Sequence, residues 1–294
     1  MPVPSFFVVG AQKSGTTSLH HYLMEHPDIC LPEQKETKFF VDDSLYEKGL
    51  EFYENEYFST CDNEKIVGEV DPDYMYFRSG AARIEQHIKN PKFIFIFRNP
   101  VDRAFSHYVM TYRRGLEEKT FEEAIRVEEE RISEGYEKDF HYSYTKRGFY
   151  CNQVDRFLEN WDVNNMHFVL SEDLIKHPEE TIRKCFEFLD VDSKFVPEAI
   201  GKKFHKATVP KNLALTVLFR NKEAYPVIRR IARFFMPSLA WRNWLRARLV
   251  VWNNKPSNLK LNDKTRQQLT DIYRDENIRL SKLIGKNLDH WNKS

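Results

Sequence analysis

Four short apolar runs, Phe6 to Val9, Ile66 to Val70, Phe93 to Phe97 and Met166 to Leu170, punctuate the chain. Apolar-rich, strand-like runs of this length suit strands covered on both faces, and helical patterns lie between them, so the alternation predicts a parallel sheet with helices on either side. Thr120 followed by Glu123 is a capping-box signature for a helix through EEAIRVEEERISEG, whose dense acids read as a solvated face. In HPEETIRKCFEFLDV, from 177 to 191, Ile182, Cys185, Phe186 and Leu189 share one helical face and predict core packing. Leu269, Ile272, Tyr273, Leu280 and Leu283 recur at helical spacing and predict a closing helix from Thr265 to Leu283.

Between the last two patterns the charge changes. From Leu213 to Val251 the chain has Arg220, Lys222, Arg229, Arg230, Arg233, Arg242, Arg246 and Arg248 against the single acid Glu223, with Pro226 and Pro237 dividing it into short helices. It reads either as helices packed with arginines outward, or as a basic amphipathic surface for an anionic acceptor or a lipid headgroup, a possible peripheral membrane contact. The 294 residues, 41% of them hydrophobic, are enough for one sizeable core. The simplest division is a single domain over 1–294, with a catalytic α/β core at 1–212 and a basic helical extension with the closing helix at 213–294. A net charge of +1 makes no global case for nucleic acid. Cys30, Cys61, Cys151 and Cys185 are far apart and form no C-x-x-C pair, which argues against a zinc site or a dense disulfide framework and makes reduced thiols the expectation. No histidine pair has metal-binding spacing, and no metal is expected. No apolar stretch reaches the ~18 to 20 residues that span a membrane, and the first strand begins within six residues of Met1, so a cytoplasmic protein is expected.

The first apolar run leads into GAQKSGTTSLHHYL, a small-residue turn followed by a helix-compatible segment. Gly10 and Gly15 let the backbone approach an anion, Ser14, Thr16, Thr17 and Ser18 supply amides and hydroxyls, and a helix beginning here adds its positive end. Lys13 places a point charge within this cradle. The pattern is not the nucleoside-triphosphate loop GxxxxGK[ST], because Thr16 follows Gly15 where that loop has lysine. The third run ends in Arg98, where a triphosphate enzyme usually has a magnesium-holding acid; an arginine fork suits a second phosphate, and Ser106 on the following helix can share it. Two anion sites without a metal acid suit a bis-phosphorylated nucleotide.

Five ordered segments resemble a known family. QKSGTTSL at 12–19 is similar to the 5′-phosphosulfate loop of sulfotransferases that use 3′-phosphoadenosine 5′-phosphosulfate (PAPS), and FRNPVDRAFSHY at 97–108 to their 3′-phosphate strand and helix. KETKFF at 35–40 resembles the KExxFF segment of heparan-sulfate and related carbohydrate sulfotransferases and their bacterial relatives, EVDPDY at 69–74 their Pro-x-Tyr acceptor segment, and RGFYCNQVDRFLENW at 147–161 their RGxYxxxLxxWL helix. The likeness covers roughly 5–212, with a looser echo to the C-terminus.

The resemblance implies a P-loop-like α/β fold and in-line sulfuryl transfer from PAPS to a hydroxyl or amine of a carbohydrate or glycolipid, leaving adenosine 3′,5′-bisphosphate (PAP). It implies that Lys13 neutralises the leaving phosphate oxygen, that Thr16, Thr17 and nearby amides fix the phosphosulfate, and that Arg98 and Ser106 hold the 3′-phosphate. Glu36 becomes the candidate general base. Lys35, Lys38, Asp71, Tyr74 and Tyr150 become acceptor-side residues, Lys38 standing where the animal enzymes often have histidine. GKKFHKATVPKN at 201–212 matches a basic loop over the nucleotide, with Lys203, Lys206 and Lys211 as candidates. His20, His21 and His107 read as packed or exposed rather than as bases. Three alternatives stay open: the same donor with a small natural-product acceptor, favoured if Tyr74, Tyr76, Phe77 and Tyr150 build a narrow aromatic pocket; a nucleotide kinase or non-catalytic nucleotide-binding protein; and an excised lumenal domain of a Golgi enzyme. The acceptor and the oligomeric state do not follow from the residues.

Overall fold

A computed structural model of the protein describes residues 3–62, 64–202, 208–212, 215, 238, 241, 244, 248–249, 252–256 and 259–293. The chain divides into two compact units, one from 1–103, 147–204 and 269–294, the other from 104–146 and 205–268.

In the first unit the strands β1 (Phe6–Gly10), β2 (Ile29–Cys30), β3 (Ile66–Val70), β4 (Lys92–Phe97) and β5 (Met166–Leu170) form one sheet in the order β2-β3-β1-β4-β5. All four pairings are parallel. The sheet is therefore the α/β arrangement that the apolar runs predict. Its strands alternate strictly between two cores, as a period of two requires. Phe7, Val9, Phe93, Phe95 and Phe97 face one cluster; Phe6, Val8, Ile94 and Ile96 face the other. The first cluster is completed by α3 (Gly49–Tyr57), α4 (Arg78–His87) and α9 (Tyr150–Leu158) through Tyr53, Ile84, Val154 and Phe157. The second is completed by α1 (Thr16–Met24), α10 (Ser171–Lys176) and α11 (Pro178–Phe188) through Leu19, Leu23, Leu174, Ile182, Cys185 and Phe186. Short α2 (Asp43–Tyr46) leads into α3. The two-residue β2 is too short to show any periodicity in sequence.

Helix α5 (Pro100–Arg113) carries the chain from the first unit into the second. In the second unit α6 (Phe121–Arg126), α7 (Glu128–Ser133) and α8 (Tyr136–Tyr142) accompany the antiparallel pair β6 (Thr208–Pro210) and β7 (Asn254–Pro256). The Thr120 capping box forms on both sides, Thr120 accepting from Glu123 N–H and Glu123 from Thr120 N–H. The predicted helix breaks at Val127, however, and one acid of the supposed solvated face is buried. Glu128 accepts from Thr145 N–H and hydroxyl and from Lys146 N–H at 2.8–2.9 Å, partners that arrive from 17 residues downstream.

The closing helix runs Asp263–Ile284; Leu269, Tyr273 and Leu280 are buried as predicted, whereas Ile272 is 55% exposed. Its neighbour Tyr273 takes the inward position instead, one residue on. The thiol expectation is also corrected. Cys30 and Cys61 form a disulfide, because β2 and the turn after α3 bring their Cα atoms to 5.8 Å, while Cys151 and Cys185 are free and buried. A spacing of 31 residues with no pattern around it leaves no trace of that pairing in sequence. Among the described residues, no helix is long and apolar enough to cross a membrane. Most of 213–251 lies outside them; Trp241, Trp244 and Trp252 are described and exposed, with Arg248 over the Trp244 ring at 4.6 Å.

Candidate active site

The first unit gathers its chemistry at the carboxyl ends of β1, β3 and β4, where the loops of an open parallel sheet converge. Beyond β1 the chain turns at Gly10, where a Cβ would lie 2.9 Å from Met75 Cβ, and again at Gly15, with φ 113°. Ala11 N–H bonds to Ile96 O at 2.7 Å, fastening the turn to β4. Gly15 caps α1 without a side-chain hydrogen bond, and the amides of Thr16, Thr17 and Ser18 are first-turn donors, which an α-helix leaves without carbonyl partners. A row of backbone and hydroxyl donors and a helix start together fit an anion such as a phosphosulfate. Lys13 holds a left-handed backbone, φ 70°, at the turn's centre, and its carbonyl accepts from Arg98 Nη1 at 3.1 Å. Tyr150 donates to the Arg98 carbonyl at 2.8 Å. Lys13 and Arg98 are thus brought together at the ends of adjacent strands, as their sequence positions imply.

The second half of the site is a loop beside β3. Glu36 N–H bonds to Val70 O at 3.2 Å, so KETKFF continues along the β3 edge. Both Glu36 and Lys38 take φ 64°, a left-handed conformation uncommon without glycine. Lys35 Nζ pairs with Glu36 Oε1, and Lys38 Nζ reaches Glu36 Oε2 at 3.5 Å. Lys38 also binds Asp71 Oδ1 at 3.0 Å and the Asp73 carboxylate, and the buried Arg147 pairs with the other oxygen of Asp73. Arg147 lies over the Tyr76 ring at 4.2 Å. Burial pushes the Glu36 carboxyl up, but the Lys38 and Lys35 ammoniums outweigh it and hold Glu36 below the usual carboxylate range. Asp73, buried as well, is held far below that range by Lys38 and Arg147. Asp71 goes the other way: burial, only partly offset by Lys38, raises it to about 6. Burial lowers Lys38, yet Asp71, Asp73 and Glu36 together raise it above its ordinary value.

Lys13, Arg98, Lys35, Glu36, Lys38 and Asp71 are therefore all in this region. Tyr74 and Tyr150 are wholly buried, with their hydroxyls taken up by Glu69 and by the Arg98 carbonyl, so the structure gives them supporting positions rather than a pocket wall. Ser106 lies on the second unit's part of α5, and Lys211 in that unit stands over the Trp252 ring at 5.3 Å. Lys203 and Lys206 lie outside the described residues. His20 is buried in α1; burial, then Lys35, draws its pKa down to about 4, so it is neutral at pH 7. His107 packs on Tyr144 within the second unit. Sequence reasoning missed Glu69, Asp73 and Arg147 as site residues, although all three sit inside quoted motifs; the available signal was the Glu69-Asp71-Asp73 alternation at the end of an apolar strand.

The family model described as the sulfotransferase domain matches residues 4–217. The membrane-associated sulfotransferase kil1 of Dictyostelium discoideum is 39% identical over 108 residues, 36% of this chain and 22% of that protein. Human heparan sulfate glucosamine 3-O-sulfotransferase 3B1 is 31% identical over 187 residues, covering 64% of this chain and 46% of its own length. The chain thus spans less than half the length of these curated relatives. A crystal structure of a sulfotransferase from Alicyclobacillus acidocaldarius superposes with a TM-score of 0.73 at 27% identity, covering 100% of both chains.

Proposed function

The chain belongs to the sulfotransferase domain family, and we propose that it moves the sulfuryl group of PAPS to a hydroxyl or amine of a carbohydrate or glycolipid by in-line transfer. The observation that carries this is the placement of Glu36, flanked by two lysines, beside the strand end next to the donor-rich cradle. PAPS supplies an activated sulfuryl group whose bond to a phosphate oxygen breaks as the acceptor bonds to sulfur. Glu36 takes the acceptor's proton, its carboxylate ionised at neutral pH beside Lys38 and Lys35. Lys13 and the amides of residues 16–18 stabilise the charge that builds on the departing phosphate oxygen. Arg98 holds the 3′-phosphate. Lys35 and Lys38 orient Glu36 and meet anionic groups of the acceptor.

The carbohydrate class draws on KETKFF and on the 3-O-sulfotransferase relatives. A small aromatic acceptor is disfavoured because Tyr74 and Tyr150 are closed inside the protein. The Cys30–Cys61 bridge supports an oxidising compartment over the expected cytoplasm, and the exposed Trp241, Trp244 and Trp252 offer a surface for peripheral lipid contact. The direct test is calorimetric titration with PAP and, separately, with magnesium ATP. Tight, metal-independent PAP binding supports the donor assignment and justifies labelled PAPS with heparan sulfate oligosaccharides as acceptor probe; preference for magnesium ATP overturns it in favour of a nucleotide kinase.

A further inference from the structure

Glu69 is the one carboxylate of this region that no cation among the described residues bonds. It is fully buried on β3 and hydrogen-bonded by Thr37, Tyr53 and Tyr74, with Asp71 as its nearby like charge. Thr37 gives its N–H to Oε1 at 3.2 Å and its hydroxyl to the same oxygen at 2.6 Å. Tyr74 bonds to both oxygens at 2.9 and 3.0 Å, and Tyr53, from α3, bonds to Oε2. A carboxylate buried without a counter-ion is costly unless its geometry is needed. What it grips is specific. Thr37 is the residue between Glu36 and Lys38, both in the left-handed region, where side chains cost on the order of 1 kcal/mol or more each.

We propose that Glu69 is a positioning residue: by clamping Thr37 it imposes the double left-handed kink that aims Glu36 and Lys38, while making no contact with either reacting group. The proposal rests on Glu36 as the acceptor-side base, but the clamp itself can be tested without any acceptor. The two oxygens are not equivalent. Oε1 receives a backbone N–H, which can only donate, whereas Oε2 faces hydroxyls, which can turn and accept. A glutamine that keeps its oxygen at the Oε1 position therefore preserves the clamp, with its amide group meeting the tyrosine hydroxyls.

Hydrogen exchange across residues 33–42, with PAP calorimetry in parallel, decides the matter. In Glu69→Ala, exchange in that segment should rise at least tenfold while the 10–20 segment and PAP affinity stay within threefold of the unaltered chain; Glu69→Gln should stay within threefold throughout. With labelled PAPS and heparan sulfate oligosaccharides, Glu69→Ala should lower kcat with little change in the KM for PAPS. Unchanged exchange at 33–42 in Glu69→Ala overturns the proposal, as does a uniform rise across β1 and β4 with loss of PAP binding, which marks a general core role. If Glu69→Ala does not fold, Thr37→Val decides: it keeps the N–H bond and loses the hydroxyl bond, so a local rise of a few fold supports the clamp and none refutes it. Failure of the unaltered chain to bind PAP strikes the donor assignment and leaves the exchange result standing.

Discussion

The cradle and the acceptor loop sit at neighbouring strand ends, yet they handle polarity in opposite ways. From Gly10 to Ser18 the cradle is one stretch of chain, rich in donors, and the first turn of α1 begins without a side-chain cap. Around Glu36, by contrast, every carboxylate but Glu69 meets a cation, Asp71 and Asp73 with Lys38, Asp73 also with Arg147, and Glu36 with two lysines. The first arrangement leaves the uncapped amides of a helix start for a ligand to meet. The second pairs most of its own charges and holds a strained backbone without one. On the proposed function this suits a donor whose phosphates are invariant and an acceptor whose hydroxyl must be met by a base already in place.

Substitutions on the two sides should therefore fail differently. Lys13→Ala removes the cradle's central cation from the departing oxygen, and transfer from labelled PAPS should fall on the order of 10³-fold with weaker PAP binding by calorimetry. Glu36→Gln should lower transfer by about 10²-fold and leave PAP affinity within about threefold. Equal losses of PAP binding in both variants would erase the distinction between donor side and acceptor side.

What could be read in sequence follows the same division. The cradle is contiguous, so its glycines, hydroxyls and lysine announce themselves together, and the strand before it, Phe6 to Val9, is an unbroken apolar run. Arg98 is visible for the same reason, as the polar residue that ends Phe93 to Phe97. Glu36, Asp73 and Arg147 lie 37 to 111 positions apart, so they appear in sequence as separate charges with no indication that they form one lattice. Tyr74 and Tyr150 carry polar tips that suggest ligand contact; only the fold reveals that both tips point inward to Glu69 and to the Arg98 carbonyl. Glu128 misleads in the same way, because the backbone it bonds arrives from a distant turn.

Stability offers a second contrast. Arg147→Met strips a buried carboxylate of one of its two cations and should lower unfolding free energy by about 3 kcal/mol in urea titrations, partly restored by adding Asp73→Asn. Arg98→Met loses a hydrogen bond to a carbonyl from a partly exposed side chain, and should cost about 1 kcal/mol. Similar losses for the two would mean that the acceptor lattice is no more self-contained than the cradle.

The pH dependence of stability is the most diagnostic effect, because its sign separates Glu69 and Asp71 from Glu36 and Asp73. Burial, then Asp71, raises Glu69 to about 7, with the bonds from Thr37, Tyr53 and Tyr74 only partly offsetting them, and burial raises Asp71 to about 6. A carboxyl group that is less acidic folded than unfolded binds more protons in the folded state, so its contribution is present below the unfolded value near 4 and is lost as pH rises toward the folded one. Glu36 and Asp73, held low by lysine and arginine, contribute above the unfolded value and lose that contribution as pH falls. Between pH 5 and 8 the first pair therefore dominates the slope, and the unaltered chain should lose stability relative to Glu69→Gln by on the order of 2 kcal/mol, read from urea midpoints at the two pH values. Parallel pH profiles would show Glu69 ionising as readily folded as unfolded. The four donor groups of Thr37, Tyr53 and Tyr74 would then fully offset its burial, leaving Asp71 as the acceptor-side carboxylate that burial makes less acidic.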